Sequence, residues 1–320
     1  MKKILFAIVL ISGFSLLNKC TTDFDLYAEY KDITVVYGLL DTSDDTSWVK
    51  ITKAFVGPGN ALLIARNEPD SSNYSYKLDV KLVGVKNGIE QSPIIFDTLT
   101  LHNKRPGDST FYFPDQRVYF ATTNLDQNAK YSLFIYNNGN EITAKTPLVG
   151  SFLVTQPRNR ISFTGNSAIE WSLADNGKRY EVFLLFNYKE FAPGYSDTLN
   201  KIMPWYLGLD KEDKGKKAYT GETFYNKLEA ELEAIPGVKR WAGKVDIVVA
   251  CGSETLSSYL DINESDNSLL TEVPVFSNIE GGTGVFASRH SSIKGVPLTP
   301  KTLEKLVEDY PDLGFQYPTK

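Results

Sequence analysis

Tyr76-Lys77-Leu78-Asp79-Val80-Lys81-Leu82-Val83 alternates apolar and polar side chains with a period of two. Successive side chains of a strand point to opposite faces, so this run predicts a strand with one dry and one wet face. Asn87-Gly88, a pair that tolerates the positive φ of a tight hairpin turn, closes it. Downstream, Tyr131-Ser132-Leu133-Phe134-Ile135-Tyr136 and Glu141-Ile142-Thr143-Ala144-Lys145 flank Asn137-Asn138-Gly139-Asn140, a second hairpin signal. Upstream, Ile33-Thr34-Val35-Val36-Tyr37 and residues 48–55 read as strands, the latter ended by Gly57-Pro58-Gly59-Asn60. Thr110-Phe111-Tyr112-Phe113 and Val118-Tyr119-Phe120 are aromatic strand pieces. Many short strands between turn signals predict a β-sandwich over residues 31–150.

Gln156-Pro157-Arg158 reads as a junction. Beyond it, Ile169-Glu170-Trp171-Ser172-Leu173, Asn176-Gly177 and Tyr180-Glu181-Val182-Phe183-Leu184-Leu185-Phe186 repeat the strand–turn–strand pattern, and this stretch resembles the early strands of a fibronectin-type sandwich. Trp171, with Trp48 and Trp241, is expected to anchor a core. The pattern then changes. Residues 211–217 are charged at six of seven positions and predict an exposed loop. Thr223 is placed to cap a helix carrying Phe224, Leu228, Leu232 and Ile235 at helical spacing, stopped by Pro236-Gly237. Val245-Asp246-Ile247-Val248-Val249 predicts a buried strand, Ser253 caps a short helix to Leu260, and Thr299-Pro300 opens a last helix that ends near Tyr310-Pro311. The expected fold is mainly β with a minor α component: two β-sandwich modules of immunoglobulin/fibronectin-like type, the second (151–320) elaborated with short helices.

With 320 residues, 42% hydrophobic and 23% charged, the composition is that of a globular chain and excludes a wholly disordered or polytopic membrane protein. Two His and two Cys exclude a cysteine-rich disulfide scaffold, and a net charge of −5 argues against a nucleic-acid partner. The N-terminus is distinctive. Met1-Lys2-Lys3 precedes a mostly apolar run from Ile4 to Leu17, too short to span a bilayer and suited to a signal-peptide core. Leu17-Asn18-Lys19-Cys20 resembles a bacterial lipoprotein cleavage box, although Lys19 stands where that box usually has a small residue. The expectation is a signal peptide over residues 1–19, lipidation of Cys20 and a tether over residues 20–30. Removing residues 1–19, which hold three lysines and no acid, takes the net charge from −5 to −8. Thr21-Thr22-Asp23-Phe24-Asp25 resembles the surface-export signal of Bacteroidota lipoproteins and reads equally as a solvated tether, so the leaflet stays open.

Near the C-terminus, the strand at 245–249 leads into Ser253-Glu254-Thr255-Leu256-Ser257-Ser258-Tyr259-Leu260. After a polar gap comes Ser277-Asn278-Ile279-Glu280-Gly281-Gly282-Thr283-Gly284-Val285-Phe286. This order resembles the Bacteroidota lipoproteins grouped as domain of unknown function 4249. The resemblance implies an outer-membrane lipoprotein, its partners the membrane through the acylated Cys20 and a TonB-dependent receptor, and it supplies no activity. Gly281, Gly282 and Gly284 permit positive φ or close backbone approach, and flanked by Ile279, Val285 and Phe286 they predict a tight turn pinned into the core. A phosphate-cradling loop would need a helix to follow, and none is predicted there.

Catalytic motifs are lacking: there is no His-Glu-x-x-His, no Gly-x-Ser-x-Gly and no Gly-x-x-x-x-Gly-Lys-Ser/Thr. His290, in Ser288-Arg289-His290-Ser291-Ser292, is the sharpest candidate for a base; His102 reads as a loop residue. Asp41, Asp44 and Asp45 lack the alternation of a calcium loop and read, with Asp261, Glu264 and Asp266, as solvated. Cys251, at the end of an apolar run, reads as a buried, inert thiol. Asp97-Thr98-Leu99, Asp108-Ser109-Thr110 and Asp197-Thr198-Leu199 resemble the O-glycosylation tripeptide of Bacteroidota, making Thr98, Ser109 and Thr198 candidate acceptors. Trp205 and Tyr206 are the candidate ligand platform, since Trp and Tyr give rigid amphipathic contact surfaces. No catalytic residue, metal site or cofactor is expected. The first functional expectation is a non-enzymatic outer-membrane or surface lipoprotein that captures ligand or assists a receptor. The second is a carbohydrate-binding or adhesin module using Trp205 and Tyr206, and the third a hydrolase using His290.

Overall fold

The computed structural model describes residues 31–56, 72–102, 115–264 and 276–318. Cys20, Ser109, Asp266 and the strand piece at 110–113 lie outside the described residues. Of those described, 54% are in strands and 14% in helices, so the chain is mainly β with a minor α component, as its alternation predicts.

One eight-stranded sheet runs through the whole molecule. In spatial order it comprises β13 (Leu199–Asp210), β12 (Gly177–Phe191), β15 (Lys239–Ser253), β17 (Thr283–Pro297), β1 (Lys31–Asp41), β2 (Thr46–Val56), β7 (Gln116–Thr122) and β6 (Asp97–Leu101). Neighbours are antiparallel except β1 and β17, which run parallel from the pair Val35–Thr283 to the pair Asp41–Arg289. A second sheet orders β16 (Ile279–Glu280), β9 (Asn140–Thr146), β8 (Lys130–Asn137), β3 (Asp79–Lys86) and β4 (Ile89–Glu90), with β5 (Ile94–Ile95) also on β3. A third holds β10 (Val154–Gln156), β11 (Asn166–Trp171) and β14 (Lys216–Thr220).

Two cores lie on the inner face of the large sheet. In the first, Val36, Leu40, Val49, Ile51 and Tyr119 meet Val80, Leu82, Leu133, Ile135 and Ile142 of the second sheet. A one-residue slip of β3 would turn Val80 and Leu82 to solvent, at about 1.5–3 kcal/mol each, so burial fixes the register. The strand starts at Asp79, later than the alternation from Tyr76 suggests, because pairing with β8 begins there and the Tyr76 hydroxyl instead donates to Asn137 Oδ1 at 2.7 Å. Asn87-Gly88 and Asn138-Gly139 all have positive φ, as the two predicted hairpin turns require. In the second core, Tyr180, Val182, Leu184, Phe186, Val245, Ile247 and Val249 meet Ile169, Trp171 and Tyr219 of the third sheet. Two helices close this layer: α1 (Gly221–Glu231) with Phe224, Tyr225 and Leu228, and, after α2 (Glu254–Glu264), α3 (Pro300–Glu308) with Leu306.

The helix signals are mostly where expected. Thr299 Oγ1 accepts from Thr302 N with Pro300 at the start of α3, and Ser253 Oγ accepts from Leu256 N, while α2 runs to Glu264, one turn past Leu260. The cap of α1 is Thr220, whose Oγ1 accepts from Thr223 N at 3.1 Å. Thr223 is three residues inside the helix, because both threonines satisfy the same cap pattern and the strand β14 ends at Thr220.

The junction expected at residue 156 does not interrupt the large sheet. Residues 276–289, from the C-terminal half, belong to the first sandwich: Ile279 and Phe286 are in its core, β16 extends its second sheet and β17 pairs with β1. The Ser-Asn-Ile-x-Gly-Gly-x-Gly-x-Phe stretch (277–286) is the device that makes this join. Asn278 mimics a strand partner: its Nδ2 donates to Phe286 O at 2.8 Å and its Oδ1 accepts from Phe286 N at 2.9 Å. Gly284 has φ +114°, and a Cβ there would overlap the Val36 carbonyl oxygen of β1. The strand β17 follows at once, so this is the tight turn, pinned against the core, that the glycine spacing predicts.

Candidate functional site

The outer face of the eight-stranded sheet carries several exposed aromatic and aliphatic side chains among the described residues, and their placement follows from register. On β2 and β7, Trp48 pairs with Phe120 and their rings lie 5.4 Å apart; Leu39 of β1 pairs with Trp48, and Tyr37 with Lys50. On β12 and β13, Phe183 pairs with Tyr206 at 4.9 Å between rings. Tyr37, Trp48, Ile202, Tyr206 and Ile293 are between 42% and 67% exposed on this face. Trp48 is thus no core anchor: its strand alternates, and Val49 takes the inward position.

Helix α2 lies across the middle of the face and is held by charge. Arg179, 4% exposed, donates to Glu181 at 3.0 Å, to Asp261 at 2.9 Å and to Glu264 at 2.6 Å. Asp261 and Glu264, expected to be solvated, are the helix's half of this clamp. Beside the helix, an apolar cavity of about 270 Å³ is lined by Tyr37, Leu39, Trp48, Val118, Leu256 and Val285 among others.

The larger cleft, about 680 Å³, lies on the same face at the far end of β12, β13 and β15. Lys189 pairs with Trp241 across β12–β15 and with Asn200 across β12–β13, so the three side chains stand side by side. Asn187 and Ile202 form the next row. The neighbouring Glu190 and Arg240 face inward, which assigns Trp241 to the outside: it is half-buried and open to the cleft. A bulge between Phe186 and Tyr188 makes the concavity, and bulges re-aim side chains beside binding sites. Asn187 spans it, its Nδ2 donating to Lys244 O at 3.1 Å and Asp246 Oδ2 at 2.8 Å. At the bulge, a Cβ on Gly243 would stand 2.8 Å from the Asn187 carbonyl oxygen. No local motif announces this cleft; the only sequence signal is Trp241 set beside Lys239 and Arg240.

Trp205 and Tyr206 do not form one platform. They are successive residues of a strand, so they face opposite sides. Trp205 packs inward near Phe163, Tyr219 and Phe224, with centroids at 6.2, 6.2 and 6.0 Å, and Tyr206 alone is on the outer face. Of the candidate glycosylation residues, Thr98 is half-buried in β6 and pairs with the inward Tyr119, whereas Thr198 is exposed at the rim of the large cleft.

His290 sits half-buried in β17. Its Nδ1 shares a 2.8 Å hydrogen bond with Thr42 Oγ1, and its ring meets Phe152 edge-on at 5.5 Å. Burial pushes its pKa below the ordinary imidazole value, against a weaker opposing pull from Asp41. The serines beside it bond elsewhere: Ser288 Oγ donates to Pro147 O at 2.6 Å, and Ser291 N donates to Ser43 Oγ. Asp41 is mostly buried; burial raises its pKa, and the hydrogen bonds from Ser43 and the Arg289 guanidinium, 2.6 Å away, outweigh this and hold the carboxyl below its usual value. His102 is exposed and paired to Asp115 at 2.7 Å. Cys251 is fully buried beneath Tyr180, and burial pushes its thiol up to about 11. Among the described residues no group of three or more His, Cys, Asp and Glu gathers to hold a metal ion.

No protein-family model matches the chain, and no curated protein matches it significantly.

Proposed function

We propose that the protein is a non-enzymatic lipoprotein, anchored in the outer membrane through Cys20, that captures ligand or assists a receptor of the TonB-dependent type. The observation that carries this reading is the outer face of the eight-stranded sheet. It presents exposed aromatic and aliphatic side chains over both sandwiches, and an apolar cavity beside α2. Exposed apolar side chains clustered beside an apolar cavity, as Tyr37 and Trp48 are, mark interaction sites. A photoreactive residue placed at Trp48 in the anchored protein, in native membranes, tests it. The expected result is an adduct to one outer-membrane receptor from position 48 and none from position 89, where exposed Ile89 lies on the opposite sheet. Equal labelling from both positions, or none from 48, refutes it.

A second reading, a surface carbohydrate-binding module, is favoured by one separate observation: the Trp241 cleft, with an aromatic face, two amides and cations on one open surface.

A further inference from the structure

We propose that the cleft at the end of β12, β13 and β15 binds an acidic saccharide, with a sugar ring stacked on Trp241 and its carboxylate held by Lys189. This rests on the carbohydrate-binding reading and gives it a site and a ligand class.

Three features of the cleft converge. The first is Trp241 itself. Its inward neighbour Arg240 is 1% exposed and bonded to Glu190, so the usual polarity of the strand is inverted: the cation is in the core and the indole faces out. The electron-rich face of an indole attracts polarised C–H groups and cations, and the axial C–H face of a pyranose is such a surface. The second is the polar set around the ring. The Asn200 side-chain amide makes no hydrogen bond with the described residues, and Asn187 Oδ1 has no partner among them while its Nδ2 is fixed across the bulge. An amide both donates and accepts, which matches vicinal hydroxyls better than it matches a purely anionic or purely apolar ligand. The third is charge. The chain as a whole carries −5, yet Lys189 and Lys201 line this cleft and neither has an ion-pair partner among the described residues. Lys239 precedes Trp241 by two residues and so shares its strand face. The nearest acid on β15, Asp246, is occupied by Asn187. Unpaired cations beside an aromatic ring, on an acidic protein, favour a ligand that carries both a ring and a negative charge. A single-stranded nucleic acid would ask for several stacking aromatics along a basic groove; of the two aromatics lining this cleft, Tyr188 packs against the core and Trp241 alone is on the outer face.

The geometry also accounts for the open form of the site. The cleft spans β13, β12 and β15 across the sheet, a shape that accepts a chain passing through rather than a small molecule enclosed.

The test uses the full-length anchored protein in detergent micelles, titrated calorimetrically with oligogalacturonate, alginate and hyaluronan oligomers and with their carboxyl-reduced counterparts. Binding of at least one acidic oligomer is expected, weakened at least tenfold by Trp241→Ala. Lys189→Gln is expected to abolish the preference for that oligomer over its carboxyl-reduced form while leaving residual binding of both. Circular dichroism checks that each variant folds, and Trp241→Phe, which keeps a ring, is expected to retain part of the affinity if Trp241→Ala does not fold. No binding to any acidic oligomer, equal binding of the reduced forms by the wild type, or an acid preference that survives Lys189→Gln overturns the proposal. Loss of the Trp48 adduct with sugar binding intact would instead remove the receptor reading and leave this one standing.

Discussion

Gly284→Ala is the substitution that most directly tests how the two halves of the chain are joined. Gly284 is in β17 opposite Val36 of β1, the only parallel seam of the large sheet, and it has φ +114°. Two costs add. An L-residue forced to such a φ loses roughly 1–2 kcal/mol. A Cβ there also overlaps the Val36 carbonyl and would stand 2.9 Å from its carbon. Backbone cannot rotate away as a side chain can, so β1 must shift, and forced shifts of this kind cost typically ~1–3 kcal/mol. The expected total is about 2–5 kcal/mol. Gly139 supplies the control: its φ is +89°, and a Cβ there meets nothing within 4 Å, so Gly139→Ala bears the first cost alone. In urea, with a slope near ~3 kcal/mol/M, Gly284→Ala should lower the midpoint by roughly 1 M and Gly139→Ala by about a third to a half of that. If the seam also makes the two sandwiches one cooperative unit, the wild type unfolds in one transition and Gly284→Ala in two. Equal midpoint shifts for the two variants would refute the claim that the contact with Val36, rather than backbone freedom alone, requires the glycine.

Arg240→Met should cost about 3–5 kcal/mol, because it leaves Glu190, 5% exposed, as a buried carboxylate without its cation; Glu190→Gln in that background should recover part of the loss, read as urea midpoints. His290 has a folded-state pKa below its unfolded one, so it contributes stability that is fully present above the unfolded value near 6.5 and is lost as pH falls toward the folded value. Wild-type stability should therefore decline between pH 7.5 and 5.5 more steeply than that of His290→Gln, and parallel curves would show that this imidazole is not the group responsible.

What could be read locally in the sequence is what local physics controls. The alternation at 78–83, the Asn-Gly turns at 87–88 and 138–139, and the threonine and proline at 299–300 each specify their own backbone, and each is found in place. What could not be read is which strand lies beside which. β1 and β17 are some 250 positions apart and meet through Gly284 and Asn278, residues whose partners are backbone groups of other strands. The tryptophans show the same limit. Trp171 is in the core as its type predicts, but Trp48 and Trp241 face outward, because Val49 and Arg240 hold the inward positions. At 240–241 the buried residue is the charged one, satisfied by Glu190 and by the carbonyls of Leu313 and Glu233, which residue type alone would not suggest. The large cleft was invisible for the same reason: its residues come from three strands and are assembled by register.

Register also fixes where that cleft stands relative to the proposed anchor. Val35 is level with Thr283 at the start of β17, whereas Lys244 is level with Pro297 at its end, and the cleft lies at residues 241–243 beyond that. The chain therefore enters β1 at one end of the strand axis and carries the Trp241 cleft at the other. Ten residues lie between Cys20 and Lys31, and the eleven steps from one to the other, at about 3.3–3.6 Å each, reach at most ~40 Å. On the proposed anchoring at Cys20, the attachment side of the sheet is the Lys31 end, opposite the cleft, and Trp48 and Tyr37 are on the first sandwich nearer that end. On the proposed reading the two surfaces have separate roles: the aromatic face beside the anchor would meet a receptor in the same membrane, and the basic cleft at the other end would take a ligand from solution. One continuous eight-stranded sheet carries both surfaces, so the Trp241 cleft and the Trp48 face are joined through hydrogen-bonded strands alone.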